Sequence, residues 1–260
     1  MSYPVLTRLR GGVAHLRLNR PTKLNVIDVE MAEGIRDAVE IALSEPTTRV
    51  ILLSGEGRSF AAGGDLSSFR AAEDKSALAN SIIGPIHQAL KRLVEAPAIT
   101  LCAVQGNVAG AGVSIAAFAD LAIAADNATF NLAYARVATS PDCGASWSLP
   151  RLLGTRKALE LALLSDTIYA DEALRLGLVN RVVPTADLLT SAEQTADRLA
   201  SHAPAALAHT KLLMRQAFDT TAAEHLDAEQ LAFAACAATE DFSQALEAFF
   251  QKRPVTFRGR

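Results

Sequence analysis

Residues 105–124 read QGNVAGAGVSIAAFADLAIA and follow directly on the apolar run Ile99–Val104. The pattern predicts a buried strand that enters a turn built on Gly106, Gly110 and Gly112. A short apolar helix over residues 112–118 should follow. Glycines let the backbone turn sharply and approach a ligand closely. The helix opens with unpaired N–H groups of partial positive charge. Such a turn can hold an anion, or an oxygen that becomes anionic during a reaction. Further on, residues 140–144 read SPDCG and put one carboxylate, Asp142, on a tight turn. This stretch therefore suggests charge stabilisation by the glycine turn and proton movement by Asp142.

The same order of elements occurs about 47 residues earlier, where residues 50–54 (VILLS) lead into GEGRSFAAGGDL and a helix from Leu66. Two such units suggest a repeated ββα build. Before them, residues 5–9 and 13–18 flank Gly11-Gly12 as a hairpin. Residues 18–28 form a loop, and Asp28 caps a helix to about Leu43 with Ile35, Val39 and Ala42 on one face. Residues 70–81 (RAAEDKSALANS) are polar and alanine-rich and read as the most mobile segment. A helix over 85–94 carries His87. Strands are expected at 99–104, 121–125 and 179–183, and helices at 147–153, 156–164 and 171–176, the last ended by Gly177. From Ala186 onward the pattern is helical. A boundary near residue 200 divides a core, 1–200, from a helical region, 201–260. The latter cannot form a large core alone and is expected to pack on another subunit.

Composition narrows the function classes. The chain has 260 residues, is half apolar, 5% aromatic, and carries a formal charge of −3. That charge gives no nucleic-acid footprint. No apolar run is long enough to span a bilayer, and the first residues lack the apolar core of a signal peptide. Cys102, Cys143 and Cys236 are few and scattered, which fits a reducing cytoplasm. No Cys/His spacing suits a metal. The GxxxGxG turn resembles a dinucleotide fingerprint but lacks its third glycine at Val113-Ser114-Ile115. A G-x-S-x-G nucleophile elbow is absent.

Several motifs run in one order along nearly the whole chain: LNRPTKLN (18–25), SGEGRSFAAGGDL (54–66), VQGNVAGAG (104–112), ADLAIAADNATF (119–130), SPDCGASWSLPRLLG (140–154), DEALRLGLVNRVVP (171–184) and FFQKR (249–253). Together they resemble the crotonase superfamily, the enoyl-CoA hydratase/isomerase family. The resemblance implies an α/β fold, a crotonase-like spiral of ββα units with a C-terminal helical trimerisation region. It implies a homotrimer or dimer of trimers acting on an acyl-CoA thioester, with no cofactor beyond the CoA moiety. It also assigns the thioester carbonyl to the backbone N–H groups of Gly64 and Ala111. Lys23, Leu24, Ala62, Gly64 and Leu66 fall where relatives contact CoA, and Lys252 with Phe249 matches a tail that reaches the phosphates.

The chain departs from the hydratase pattern. The two glutamates that hold a water in hydratases fall on Ser114 and Tyr134, and neither is a general base near neutral pH. Ordinary hydration is not what these residues suggest. Tyr134 reads as a wall of the acyl pocket. Asp142 is the remaining acid, and the resemblance places it at the position of a catalytic aspartate in dienoyl-CoA isomerases, ring-opening isomerases of phenylacetate degradation and aryl-CoA dehalogenases, with the surrounding SPDCGASWSLPR most similar to the isomerase branches. His87 lies 24 residues before Ala111, the spacing of an active-site histidine in the dehalogenase branch. Three functions stay open: an enoyl-CoA isomerase using Asp142; another crotonase reaction, such as dehalogenation or C–C hydrolysis; and a non-catalytic acyl-CoA-binding protein.

Overall fold

The computed structural model describes residues 3–260. The hairpin β1 (Val5–Arg10) and β2 (Val13–Leu18) turns on Gly11-Gly12 and feeds β3 (Val50–Gly55) and β4 (Ile99–Val104). Three short strands and one longer one follow: β5 (Asn107–Ala109), β6 (Leu121–Ala125), β7 (Thr129–Asn131) and β8 (Ile168–Tyr169). The last is β9 (Arg181–Val183). The larger sheet has the order β1-β2-β3-β4-β6-β9, parallel from β2 onward, and β5-β7-β8 form a second, small sheet.

β3 and β4 are apolar along their length because both faces are covered. Ile51, Leu53, Cys102 and Val104 face one cluster. It is built by α1 (Val29–Ser44), α3 (Lys75–Glu95), α4 (Ala111–Phe118) and α5 (Ala145–Leu153). Val50, Leu52, Leu101 and Ala103 face α8 (Leu188–Ala200). Ala192, Ala196 and Ala200 recur every fourth residue of α8, so its backbone lies close on the sheet. Asp28 caps α1 by accepting from Met31 N at 2.9 Å. The remaining helices are α2 (Leu66–Ala71), α6 (Thr155–Leu164), α7 (Ala170–Leu176), α9 (Pro204–Gln216), α10 (Ala222–Ala237) and α11 (Glu240–Phe250).

Three expectations need correction. Residues 75–81 are helical: α3 starts ten residues before Pro85, under a cap from Asp74 to Ala77 N (2.8 Å). Proline is favoured in a first helical turn, which makes Pro85 look like a start. Ile82, ahead of it, belongs to the same buried stripe as Ile86, Ala89, Leu90 and Leu93, and that packing carries the helix through the proline. The strand expected from Val179 begins at Arg181. The small sheet is unforeseen, since two- and three-residue strands have no readable period.

The C-terminal helices rest partly on their own chain. Lys211 of α9 is buried and donates to Leu93 O and Ala98 O, each at 2.7 Å. Its ammonium lies 3.2 Å from Asp120, which also takes Arg215 at 2.5 Å and Thr100 N at 2.8 Å. Buried Asp241 accepts from Arg258 N and Gly259 N at 2.7 Å, folding the tail back onto the start of α11. Leu226, Leu231, Phe233, Phe249 and Phe250 of α10 and α11 remain exposed.

Candidate active site

The first glycine turn is held from two sides. Asn25, fully buried, donates to Glu56 O (3.0 Å) and Ser59 O (2.9 Å) and accepts from Arg20 N (2.7 Å). Gln105 donates to Gly55 O (2.7 Å) and Gly57 O (2.9 Å). Ile27 N donates to Gly63 O (2.8 Å), and Asp65 N to Ile27 O (3.1 Å). Those two bonds flank Gly64, so in a parallel bridge its own N–H points away from Ile27. Asp65 then caps α2 and accepts from Ser67 N (3.0 Å) and Ser68 Oγ (2.8 Å). The Ser68 bond holds its carboxyl below the usual range, helped by the nearby charge of Lys23.

The second turn abuts the first. Ala61 and Val108 form a parallel bridge, with Ala109 N donating to Ala61 O at 3.0 Å. Gly110 N donates to Asn131 O at 2.9 Å. Gly63 (φ +96°) and Gly110 (φ +48°) meet backbone to backbone: a Cβ on Gly110 would lie 3.6 Å from Gly63 Cα. They immediately precede Gly64 and Ala111. Ala111 opens α4, where N–H groups have no partner within the helix. Among the described residues neither the Gly64 nor the Ala111 amide has a protein acceptor.

A chain of polar groups leads from the second turn to the carboxylate. Ser114 Oγ is 3.2 Å from Gly110 O and 2.9 Å from the Tyr134 hydroxyl, and Tyr134 donates to Asp142 Oδ1. Ser114 is 0% exposed and Tyr134 8%. Tyr134 sits at the start of a single 3₁₀ turn, Tyr134–Val137. Asp142 is placed by two successive left-handed residues, Cys143 (φ +49°) and Gly144 (φ +82°). A Cβ on Gly144 would lie 2.4 Å from the Phe118 ring. Burial, then the Asp142 charge, pushes the Tyr134 phenol well above its ordinary value, so Tyr134 stays protonated and donates. The same two causes push the Cys143 thiol up. Asp142 is thus the acid of this group, flanked by neutral hydroxyls and a neutral thiol.

The other sequence candidates scatter. His87 is on the exposed face of α3, between buried Ile86 and Ala89, and makes no hydrogen bond to Tyr134 or Asp142. Lys23 is exposed, and Leu24 O accepts from Ala62 N (3.1 Å), so these residues border the first turn. Leu66 is 58% exposed beside it. Phe249 (77% exposed) and Lys252 lie at the far end of α11 and reach no part of the two turns in this chain. A cavity of about 410 Å³ lies elsewhere, between α5 and α9, and is lined by Trp147, Arg151, Lys211 and Phe218 among others. It includes none of Gly64, Ala111, Tyr134 and Asp142. Sequence reasoning misses Asn25, Gln105 and Asn131. For Gln105 the signal is an amide directly before Gly106 at the end of an apolar strand; Asn25 and Asn131 reach the turns only through the fold.

Residues 8–260 match the family model described as enoyl-CoA hydratase/isomerase. The chain is 33% identical to 1,2-epoxyphenylacetyl-CoA isomerase of Escherichia coli (strain K12) over 98% of each protein. It is 33% identical to crotonyl-CoA hydratase of Syntrophomonas wolfei over 94% of each. The crystal structure of an enoyl-CoA hydratase from Polaromonas sp. JS666 superposes with a TM-score of 0.92 at 32% identity, covering 98% of this chain and 99% of that one.

Proposed function

Since this chain belongs to the enoyl-CoA hydratase/isomerase family, we propose that it is an acyl-CoA isomerase that shifts a double bond with one carboxylate. The observation that carries this reading is the neutral Ser114–Tyr134 pair, which ends on Asp142. The Gly64 and Ala111 N–H groups receive the thioester oxygen. Asp142 removes a proton from the carbon next to the thioester, and the C–H electron pair moves into a dienolate whose oxygen those donors stabilise. Preorganised donors of this kind are each worth roughly 10²–10³ in rate. Asp142 then returns the proton two carbons along, so the substrate leaves isomerised and the enzyme unchanged. Hydration needs a second acid to split water, and Tyr134, held protonated, is no base.

Lys23, Leu24, Ala62 and Leu66 border the first turn and supply the CoA contacts in this reading. Phe249 and Lys252 serve a neighbouring subunit of a homotrimer, for which the exposed apolar side chains of α10 and α11 argue. The test is a paired assay on one preparation with 3-enoyl-CoA and 2-enoyl-CoA, followed by ultraviolet absorbance of the conjugated thioester. Conjugation from the 3-enoyl substrate with negligible hydration of the 2-enoyl one is the expected result. Rapid hydration of the 2-enoyl substrate would replace this reading with a hydratase.

A further inference from the structure

The hydroxyl chain does not fit a role limited to filling space. Three contacts, Gly110 O to Ser114, Ser114 to Tyr134 and Tyr134 to Asp142, share only two hydroxyl protons. An ionised carboxylate only accepts, so Tyr134 donates to Asp142. The Ser114 proton then serves either Tyr134 or Gly110 O, and one contact lacks a proton. A proton on Asp142 removes the deficit. From Oδ1 it donates to Tyr134, Tyr134 donates to Ser114, and Ser114 donates to Gly110 O. Gly110 O belongs to the same peptide unit as the Ala111 N–H. Hydrogen bonds in such a chain polarise one another by about 10–30% each, so a donor on that carbonyl strengthens the amide on the other side of the peptide.

We propose that Ser114 and Tyr134 are positioning residues forming a relay that couples the protonation of Asp142 to the strength of the Ala111 oxyanion donor. This rests on the reading of Asp142 as the proton carrier. In that reaction the C–H bond breaks and an O–H bond forms on Asp142 while the electron pair moves to the thioester oxygen. The relay turns toward Gly110 at that same stage, when negative charge reaches Ala111.

The experiment uses Ser114→Ala, Tyr134→Phe and the double variant of the full chain. The probe is cinnamoyl-CoA labelled with ¹³C at the thioester carbonyl, read by isotope-edited infrared spectroscopy beside steady-state kinetics. Ser114→Ala should move the bound carbonyl stretch to higher frequency and lower kcat roughly two- to eightfold with KM little changed, about 10–30% of the worth of one oxyanion donor. Tyr134→Phe leaves to Gly110 O alone the Ser114 proton that in wild type is shared between Tyr134 and Gly110 O. It should keep or deepen carbonyl polarisation while lowering kcat about tenfold or more through the lost bond to Asp142. The double variant should lose the polarisation again. An unchanged carbonyl stretch in folded Ser114→Ala, or the same stretch shift in both single variants, overturns the relay. Asp142→Asn separates the two ideas: full activity there would sink the proton-carrier reading itself, whereas a dead Asp142→Asn with an unmoved Ser114→Ala stretch sinks the relay alone.

Discussion

Gly112→Ala tests the contact between the two glycine turns directly. A Cβ at Gly112 would lie 2.3 Å from Ala61 O, and 3.1 Å from Ala61 Cβ. That oxygen is backbone, already accepts from Ala109 N at 3.0 Å, and cannot rotate aside. Reaching even a tight 3.0 Å contact means opening the gap by about 0.7 Å (3.0 − 2.3). Gly112 follows Ala111 directly, and Ala61 is three residues before Gly64, so the displacement enters the spacing of the two donors. A misplacement near 1 Å costs on the order of 10² in rate, and losing one donor costs about 10²–10³. A drop of about 10² in kcat/KM on the enoyl-CoA that the wild type turns over is therefore expected. Stability should fall less dramatically: overpacking costs about 1–3 kcal/mol, or roughly 2–4 °C in Tm per kcal/mol for a chain of this size. Gly84→Ala is the control. Nothing lies within 4 Å of its Cβ, and it sits inside α3, so it should leave the rate alone and stabilise by about 0.5–1 kcal/mol. A folded Gly112→Ala enzyme within about threefold of wild type would refute the claim that donor spacing depends on this approach.

Asp142→Asn should lower kcat by about 10²–10⁴ while leaving the affinity for a saturated acyl-CoA intact by titration calorimetry; retained turnover would remove Asp142 from the chemistry. Asp120→Ala leaves Lys211 and Arg215 without their shared partner in a largely buried setting. It should destabilise by about 3–5 kcal/mol in urea unfolding, and a change below about 1 kcal/mol would mean the cluster is solvated. His15, beside Ser54 at 2.7 Å, is held below its ordinary value of 6.5 by burial first and by the charge of Arg17 next, against an opposing pull from Glu193. Its neutral form therefore contributes stability that is full above pH 6.5 and is lost as pH falls below that, because the unfolded chain takes up the proton first. The urea midpoint should drop between about pH 7.5 and about pH 5.5, and less so in His15→Asn; equal drops in the two proteins would assign the loss to other groups.

The long central strands are legible in the sequence because burial on both faces leaves continuous apolar runs, and β3, β4 and β6 fall within one residue of their expected ends. Caps are legible for the same local reason, as at Asp28 and Gly177. α3 is not, because Pro85 imitates a helix start while what carries the helix through it, the stripe of Ile82 and Ile86, lies in packing against α1. The glycine turns announce themselves, but their meeting at Gly63 and Gly110 does not, since it depends on a two-residue bridge between segments 47 residues apart (108 − 61). Tyr134 reads as a pocket wall because no single helix or strand carries Ser114, Tyr134 and Asp142, so no period links residues 8 and 20 positions apart. Only the 3₁₀ turn and the left-handed Cys143 bring those three side chains together.

The charge balance of the group favours one carboxylate over two in the proposed reaction. Before proton transfer the site holds a single negative charge, on Asp142; afterwards it holds a single negative charge, on the dienolate oxygen. The charge moves from a carboxylate that accepts a hydroxyl bond to an oxygen that accepts two amide bonds, so each position is solvated by the protein when it needs to be. A glutamate at position 114 would break this sequence. Position 114 is completely buried, one bond from Tyr134 and next to the Gly110–Ala111 peptide. A second carboxylate there would oppose both the ionised Asp142 and the developing oxyanion, and like charges so close cannot both stay ionised. Serine and tyrosine at these two positions transmit hydrogen bonds while adding no charge. That arrangement suits the proposed proton shift, in which one carboxylate carries the proton out and back.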